Sequence, residues 1–315
     1  MILVPFPEMK ALSRSLAPAL NADLCPLDWH RFPDDESLIT LSGDMEGADV
    51  AVLATLRDAD RLALPLRFAA ETARELGARN VGLIAPYLGY MRQDRRFRGG
   101  QAVSAKLFAG FLAESFDWLV TVDPHLHRIE RLEEVFTIPA VRVASAPLLA
   151  EWIRINLPDA VLLGPDSESQ QWVAEVARLA ARPYEILGKI RAGDLQVDVS
   201  VPERAILHRG TPVILDDIAS SGRTMARTVE RLIAAGTGSP VCLAIHAIFA
   251  EGAHDVIMSA GAARIVTTDT IPHPSNVIGT AGVLAKAVRS AVSGLDLPVT
   301  GKTRLAPTRP ERTSK

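Results

Sequence analysis

Only two cysteines, Cys25 and Cys242, occur in 315 residues, and they stand far apart. There is no CxxC pair and no Cys/His spacing, so neither a zinc cluster nor a disulfide framework organises the chain. Both thiols sit beside apolar residues and read as core or near-core groups, which fits a reducing cytoplasm. Excess positive charge is also missing: the net charge is −3, so any nucleic-acid contact would need a local patch. No apolar run reaches the ~20 residues that span a bilayer. The start, "MILVPFPEMK", has no basic region followed by a long apolar one, so it does not read as a signal peptide.

What is present is alternation. Short apolar runs at 2–6, 49–56, 80–86, 117–123, 160–166, 211–217, 240–249 and 263–269 read as strands. Amphipathic segments lie between them. One spans 60–76, with Leu62, Leu66, Ala69, Ala70 and Ala73 on a stripe and Gly77 as its stop. Another spans 224–235, with Met225, Val229, Leu232 and Ile233 on a stripe and Gly236 closing it. Strand and helix in alternation predict an α/β fold with mostly parallel sheets covered on both faces. The pattern occurs twice, so two domains are expected, 1–145 and 146–295, followed by a polar, basic tail at 296–315. In such sheets ligands bind beyond the carboxyl ends of the strands.

The stretch "PVILDDIASSGRT" (212–224) lies at such an end. Asp216 and Asp217 close a buried strand. Ser220, Ser221 and Gly222 then let backbone N–H groups approach a ligand, and after Arg223 the residue Thr224 stands near the start of a helix whose N-terminus favours an anion. The loop suits a phosphate. The paired carboxylates suit sugar hydroxyls, or a Mg²⁺ held partly through water. A sugar phosphate satisfies both halves, while an ordinary strand–turn–helix remains the simpler alternative.

"VILDDIASSGRT" resembles the phosphoribosyl-diphosphate motif shared by type I phosphoribosyltransferases and ribose-phosphate diphosphokinases, the PRPP synthetases. A second segment, "APYLGYMRQDRRFRGGQAVSAKL" (85–107), is similar to the synthetases alone. There the resemblance assigns Arg92, Gln93 and Asp94 to ATP, and Arg95, Arg96 and Arg98 add the positive charge a triphosphate needs. "VTVDPHLHRIE" (120–130) places His125 where the family meets ATP and metal, with Pro124 in place of a leucine and no role for His127. "LLGPDSESQQWVAE" (162–175) places Asp166 on the ribose hydroxyls and metal, with Ser167, Glu168 and Ser169 where the family carries glycines.

"ILGKIRAGDLQVDVS" (186–200) carries Lys189 and Arg191, which match the family's catalytic loop. Cations two apart on an extended segment share one face and can stabilise the charge that moves onto the leaving group. "HRFPDDESLITL" (30–41) matches a stretch whose counterparts of Phe32, Asp34 and Glu36 are lent to a neighbouring subunit's adenine pocket. The C-terminal part, "HAIFAEGAHDVIMSAGAARIVTTDTIPHP" (246–274), is similar to the family's His-x-x-Phe and Thr-Asp-Thr-Ile-Pro ending as well. Ser220 and Arg223 depart from the family's common aspartate and glycine, which predicts tight binding of a 5-phosphate.

The resemblance implies two tandem type I phosphoribosyltransferase-like domains and a cytoplasmic homo-oligomer, dimer-based up to a hexamer. It implies Mg²⁺, ATP and ribose 5-phosphate as cofactor and partners, with no nucleic acid and no membrane. The reaction it implies is diphosphate transfer from Mg-ATP to ribose 5-phosphate. Two alternatives remain open on sequence alone: a phosphoribosyltransferase that uses PRPP, and a catalytically silent synthetase-like regulatory paralogue.

Overall fold

The computed structural model describes residues 1–126, 128–166, 169–191, 197–199 and 210–295. In chain order the first half holds β1 (Ile2–Pro5), α1 (Lys10–Leu20), β2 (Asp23–Leu24), β3 (Leu27–Arg31), β4 (Ser37–Leu41), β5 (Asp49–Leu53), α2 (Ala59–Glu75), β6 (Asn80–Ala85), α3 (Ser104–Ser115), β7 (Trp118–Val122) and β8 (Ala140–Val143). The second holds α4 (Ala146–Asn156), β9 (Ala160–Gly164), α5 (Gln170–Ala180), β10 (Tyr184–Ile186), β11 (Lys189–Arg191), β12 (Val197–Val199) and β13 (Thr211–Ile218). It continues with α6 (Arg223–Ala234), β14 (Val241–His246), α7 (Ala253–Ser259), β15 (Arg264–Thr268), β16 (Asn276–Ile278) and α8 (Ala281–Leu295).

Two parallel six-stranded sheets result, ordered β2-β1-β5-β6-β7-β8 and β10-β9-β13-β14-β15-β16. All eight apolar runs form strands, and the two amphipathic stripes form α2 and α6, each shifted by one residue from the sequence expectation. β7, β9 and β14 are buried at every position, as strands covered on both faces must be. α6 buries Met225, Ala226, Val229 and Leu232, while Arg227 and Glu230 face water. On β6, Gly82 is required by its neighbour: a Cβ there would lie 1.8 Å from the buried Trp118 ring. Among the described residues no helix is long and apolar enough to cross a membrane.

In each sheet the order reverses once. In the second sheet β9 has β10 on one side and β13 on the other, so its switch point lies between the ends of β9 and β13. Those ends carry Asp166 and the Asp216–Asp217 pair. This is where a parallel sheet opens a crevice.

Several contacts tie the two sheets together. Tyr87 follows β6 and packs into the second domain's core with Ile218, Met225 and Phe249. Arg57 donates from Nη2 to the Phe249 carbonyl at 2.9 Å. His246, at the end of β14, meets the Asp123 carbonyl at 3.2 Å. The last helix, α8, lies in the C-terminal half of the sequence but packs on α1, β7 and β8 of the first sheet. It buries Leu284, Ala285, Val288 and Ala291 there, and Arg289 donates to the Ala19 carbonyl at 2.7 Å.

Candidate functional site

A cleft of about 530 Å³ opens where the carboxyl ends of the two sheets meet. Arg92, Asp123, His125 and Arg142 line it from the first domain, and Asp166, Asp216 and Asp217 from the second. Five of the residues singled out in the sequence therefore converge: Arg92, His125, Asp166, Asp216 and Asp217. His125 and Asp217 touch directly, Nδ1 to Oδ2, across the two domains.

The two adjacent carboxylates have different electrostatics. Burial pushes Asp216 well above the usual carboxylate range, and the neighbouring Asp217 and Asp166 charges push it further. Burial would raise Asp217 too. The hydrogen bond from His125, its charge, and a hydrogen bond with Asp216 outweigh that and hold Asp217 below its ordinary value. The pair thus resembles one proton-sharing acid beside one committed anion.

Beyond Asp217 the chain bends into the phosphate-like loop. Gly222 adopts φ 71° and precedes α6. Its backbone lies against α7, so a Cβ there would sit 2.7 Å from the Ala253 carbonyl oxygen. The loop is held from behind: Ala219 donates to the His246 carbonyl at 3.2 Å, and Ala250 donates to the Ser220 carbonyl at 2.9 Å. The backbone N–H groups of residues 220–224 have no acceptor among the described residues, which leaves them for an anion. Ser221, Arg223 and Thr224 are exposed there. Gly222→Ala is expected to lower the melting temperature and displace the loop, because it combines a positive φ with a contact to backbone. Thermal denaturation checks this, and an unchanged melting temperature would contradict it.

Other residues fall elsewhere. Gln93 accepts from Ser104 Oγ at 2.6 Å at the foot of α3. The Asp94 side chain is fully buried and accepts from the Arg128 backbone at 3.0 Å and its guanidinium at 3.2 Å, so it braces a loop rather than lining the cleft. Phe32, Asp34 and Glu36 sit on the turn of the antiparallel β3–β4 hairpin, exposed and outside the cleft lining. Lys189 and Arg191 begin and end β11, which pairs antiparallel with β12. His127, Ser167 and Glu168 lie outside the described residues.

The fold also gathers residues that sequence reading gave no part. Asp123 is buried at the end of β7 and takes φ 29°. One carboxylate oxygen accepts from Arg142 Nε and Nη2 at 3.1 and 2.9 Å, the other from Ser145 N and Oγ, both at 2.7 Å. This clamp fixes the turn that presents His125. The one available signal was a carboxylate at a strand end, two residues before His125. Nothing in sequence linked it to Arg142, 19 positions away.

Among the described residues no three His, Cys, Asp or Glu side chains converge as a ready-made metal cage. The cleft instead offers scattered oxygen donors. That pattern suits a cation carried in largely by a phosphorylated ligand.

Comparison with known proteins agrees with this architecture. A family model described as the N-terminal domain of ribose phosphate pyrophosphokinase matches residues 1–115, and a phosphoribosyl transferase domain model matches residues 132–281. A ribose-phosphate pyrophosphokinase of Methanopyrus kandleri is 32% identical over 292 residues, covering 92% of this chain and 99% of that one. The Methanothermobacter thermautotrophicus protein of the same name is 33% identical over 279 residues, covering 88% and 96%. The crystal structure of phosphoribosylpyrophosphate synthetase from Mycobacterium smegmatis has a TM-score of 0.80 at 22% identity, covers 93% of this chain and 99% of that one, and shows the shared fold. The chain belongs to the ribose-phosphate pyrophosphokinase family.

Proposed function

We propose that this enzyme transfers the diphosphate of Mg-ATP to O1 of ribose 5-phosphate, yielding 5-phosphoribosyl 1-diphosphate and AMP. The observation that carries the reading is the contact of His125 with Asp217, which joins the nucleotide side of the first domain to the sugar side of the second. The anomeric hydroxyl oxygen attacks the β-phosphorus. The new O1–Pβ bond forms as the bridge to the α-phosphorus breaks, AMP leaves with the bonding electron pair, and the hydroxyl proton passes to solvent. The protein contributes mainly position and charge.

Residues 220–224 hold the 5-phosphate, with N–H groups and hydroxyls offered at the start of α6. Asp216 and Asp217 accept from the ribose hydroxyls. Arg92 lies in the cleft without an ion-pair partner among the described residues and takes an ATP phosphate. Gln93 and Asp94 support that loop. Lys189 and Arg191 cover the transferring group. The donor set fits magnesium: His125 and Asp166 share the cleft with Asp216 and Asp217, and the closeness of these carboxylates concentrates negative charge there. Bound there with ATP, the metal would neutralise phosphate charge. The enzyme works in the cytoplasm as a homo-oligomer built from dimers up to a hexamer, and the exposed hairpin turn leaves Phe32, Asp34 and Glu36 free to be lent to a neighbour's adenine.

The test is direct. Purified protein is incubated with ribose 5-phosphate and Mg-ATP, and AMP and PRPP are followed by mass. Equal amounts of both are expected. Absence of AMP across phosphate and metal conditions would sink the reading. Arg223→Gly is expected to raise the KM for ribose 5-phosphate by about three- to tenfold, since one exposed cation beside a phosphate contributes modestly. An unchanged or lower KM would mean that Arg223 points away into solvent.

A further inference from the structure

His246 is wholly buried, yet it is polar on both sides of its ring. Nδ1 lies 2.9 Å from Thr270 Oγ1, within the second domain. Nε2 lies 3.2 Å from the Asp123 carbonyl oxygen, in the first. The ring edge meets Tyr87, also from the first domain, with centroids 4.9 Å apart. A carbonyl can only accept, so the bond to Asp123 requires the proton on Nε2, and in the neutral ring that burial favours, Nδ1 accepts from the Thr270 hydroxyl.

The main chain of the same residue does different work. Its carbonyl accepts from Ala219, the first residue after β13, and its position in β14 pairs with Ile218. One residue therefore grips both halves of the site. Its backbone holds the root of the phosphate loop. Its imidazole holds the turn 123–125, whose last residue touches Asp217. The carboxylate clamp on Asp123 fixes that turn within its own domain. His246 fixes its height relative to the other domain.

We propose that His246 is a positioning residue for diphosphate transfer: its Nε2–H···O=C bond to Asp123 sets how far the nucleotide side stands from the sugar side. This rests on the reaction proposed above. The two substrates need not bind less tightly when the bond is lost, because each is gripped mostly within one domain. What suffers is their mutual alignment, and a misplacement of about 1 Å can cost on the order of 10²-fold in rate. The predicted signature is therefore in kcat rather than KM.

Two variants separate the bonds. In His246→Asn the amide stands near the position of Nδ1, so it can keep Thr270 but cannot reach Asp123. In His246→Gln the longer side chain brings an N–H donor near the position of Nε2. H246N is expected to lose about 10- to 100-fold in kcat, with the KM for ribose 5-phosphate within about threefold of wild type. H246Q is expected to recover most of that loss. Equal damage in both variants, an undiminished kcat in H246N, or a loss confined to KM would each overturn the inference. Melting temperatures are measured alongside. Should either variant fail to fold, long-range ¹H–¹⁵N spectra of histidine-labelled wild-type protein decide: His246 is expected as the neutral Nε2–H tautomer, and any other state overturns the bond. That arm does not depend on turnover, so an inactive wild type would count against the reaction while leaving the positioning bond separately tested.

Discussion

Lys189→Ala is expected to lower kcat by ~10³ while changing ATP affinity by less than about threefold. The transferred group carries its greatest unshielded charge when the bridge oxygen of ATP departs. A cation that meets it only then stabilises the transition state and adds little to ground-state binding. Lys189 stands on β11, whose antiparallel pair with β12 belongs to neither large sheet. An element outside both sheets can move over a loaded cleft without disturbing either core, which closing and water exclusion require. AMP release gives kcat, and calorimetry with a non-hydrolysable ATP analogue gives the affinity. Unchanged turnover would remove Lys189 from the mechanism, and an equal loss of turnover and affinity would make it a simple binding residue. Arg191→Ala should behave alike.

Asp216→Asn is expected to abolish measurable turnover and yet raise the melting temperature by roughly 2–4 °C at pH 8. Burial and the adjacent Asp217 charge raise Asp216 in the folded state. A raised acid contributes stability that is fully present below its unfolded value and is lost as pH rises through its folded value. At pH 8, far above the unfolded value, Asp216 is thus a cost of the fold whichever form it takes, and an amide removes it. Near pH 4 the carboxyl already holds its proton, so the gain should vanish. Asp217 has the opposite sign. Its lowered value, maintained by His125, gives stability that is present above the unfolded value and lost as pH falls through the folded one. Asp217→Asn should therefore lower the melting temperature at neutral pH and matter less in acid. Differential scanning calorimetry at both pH values checks the pair. A destabilised D216N at pH 8 would show that Asp216 is held by contacts stronger than the repulsion around it.

Sequence was most informative where local physics decides the outcome. Strands buried on both faces must be apolar throughout, so all eight apolar runs were visible, and α2 and α6 were visible from their stripes. Short strands were not. β2, β3, β10 and β16 have two to five residues, exposed or half-buried except Ile278, and nothing in such a stretch repeats often enough to show a period. The candidate site divides similarly. Asp166, His125, Asp216 and Asp217 were legible because each lies at or near a strand end, the place where parallel sheets expose chemistry. The ties made by Arg142, Tyr87 and His246 were not, although Tyr87 and His246 lie in segments that resemble the family, because their partners Asp123, Ile218 and Thr270 are distant in sequence or belong to the other domain. Asp94 shows the reverse case. It lies inside a legible segment, but folding directs it to Arg128 and away from the cleft.

The path of α8 has a consequence for synthesis. A ribosome delivers the first sheet long before residues 281–295 leave the exit tunnel, and until then one flank of β7 and β8 has no cover. Leu12 and Leu16 of α1 are waiting in the same layer for Leu284 and Val288. The growing chain must therefore finish its second domain, or be shielded, while the first is still incomplete. Neither half is a self-sufficient unit despite its self-contained sheet. Cutting the gene between the domains should yield an N-terminal fragment that aggregates, and supplying the α8 peptide in trans should rescue it in part.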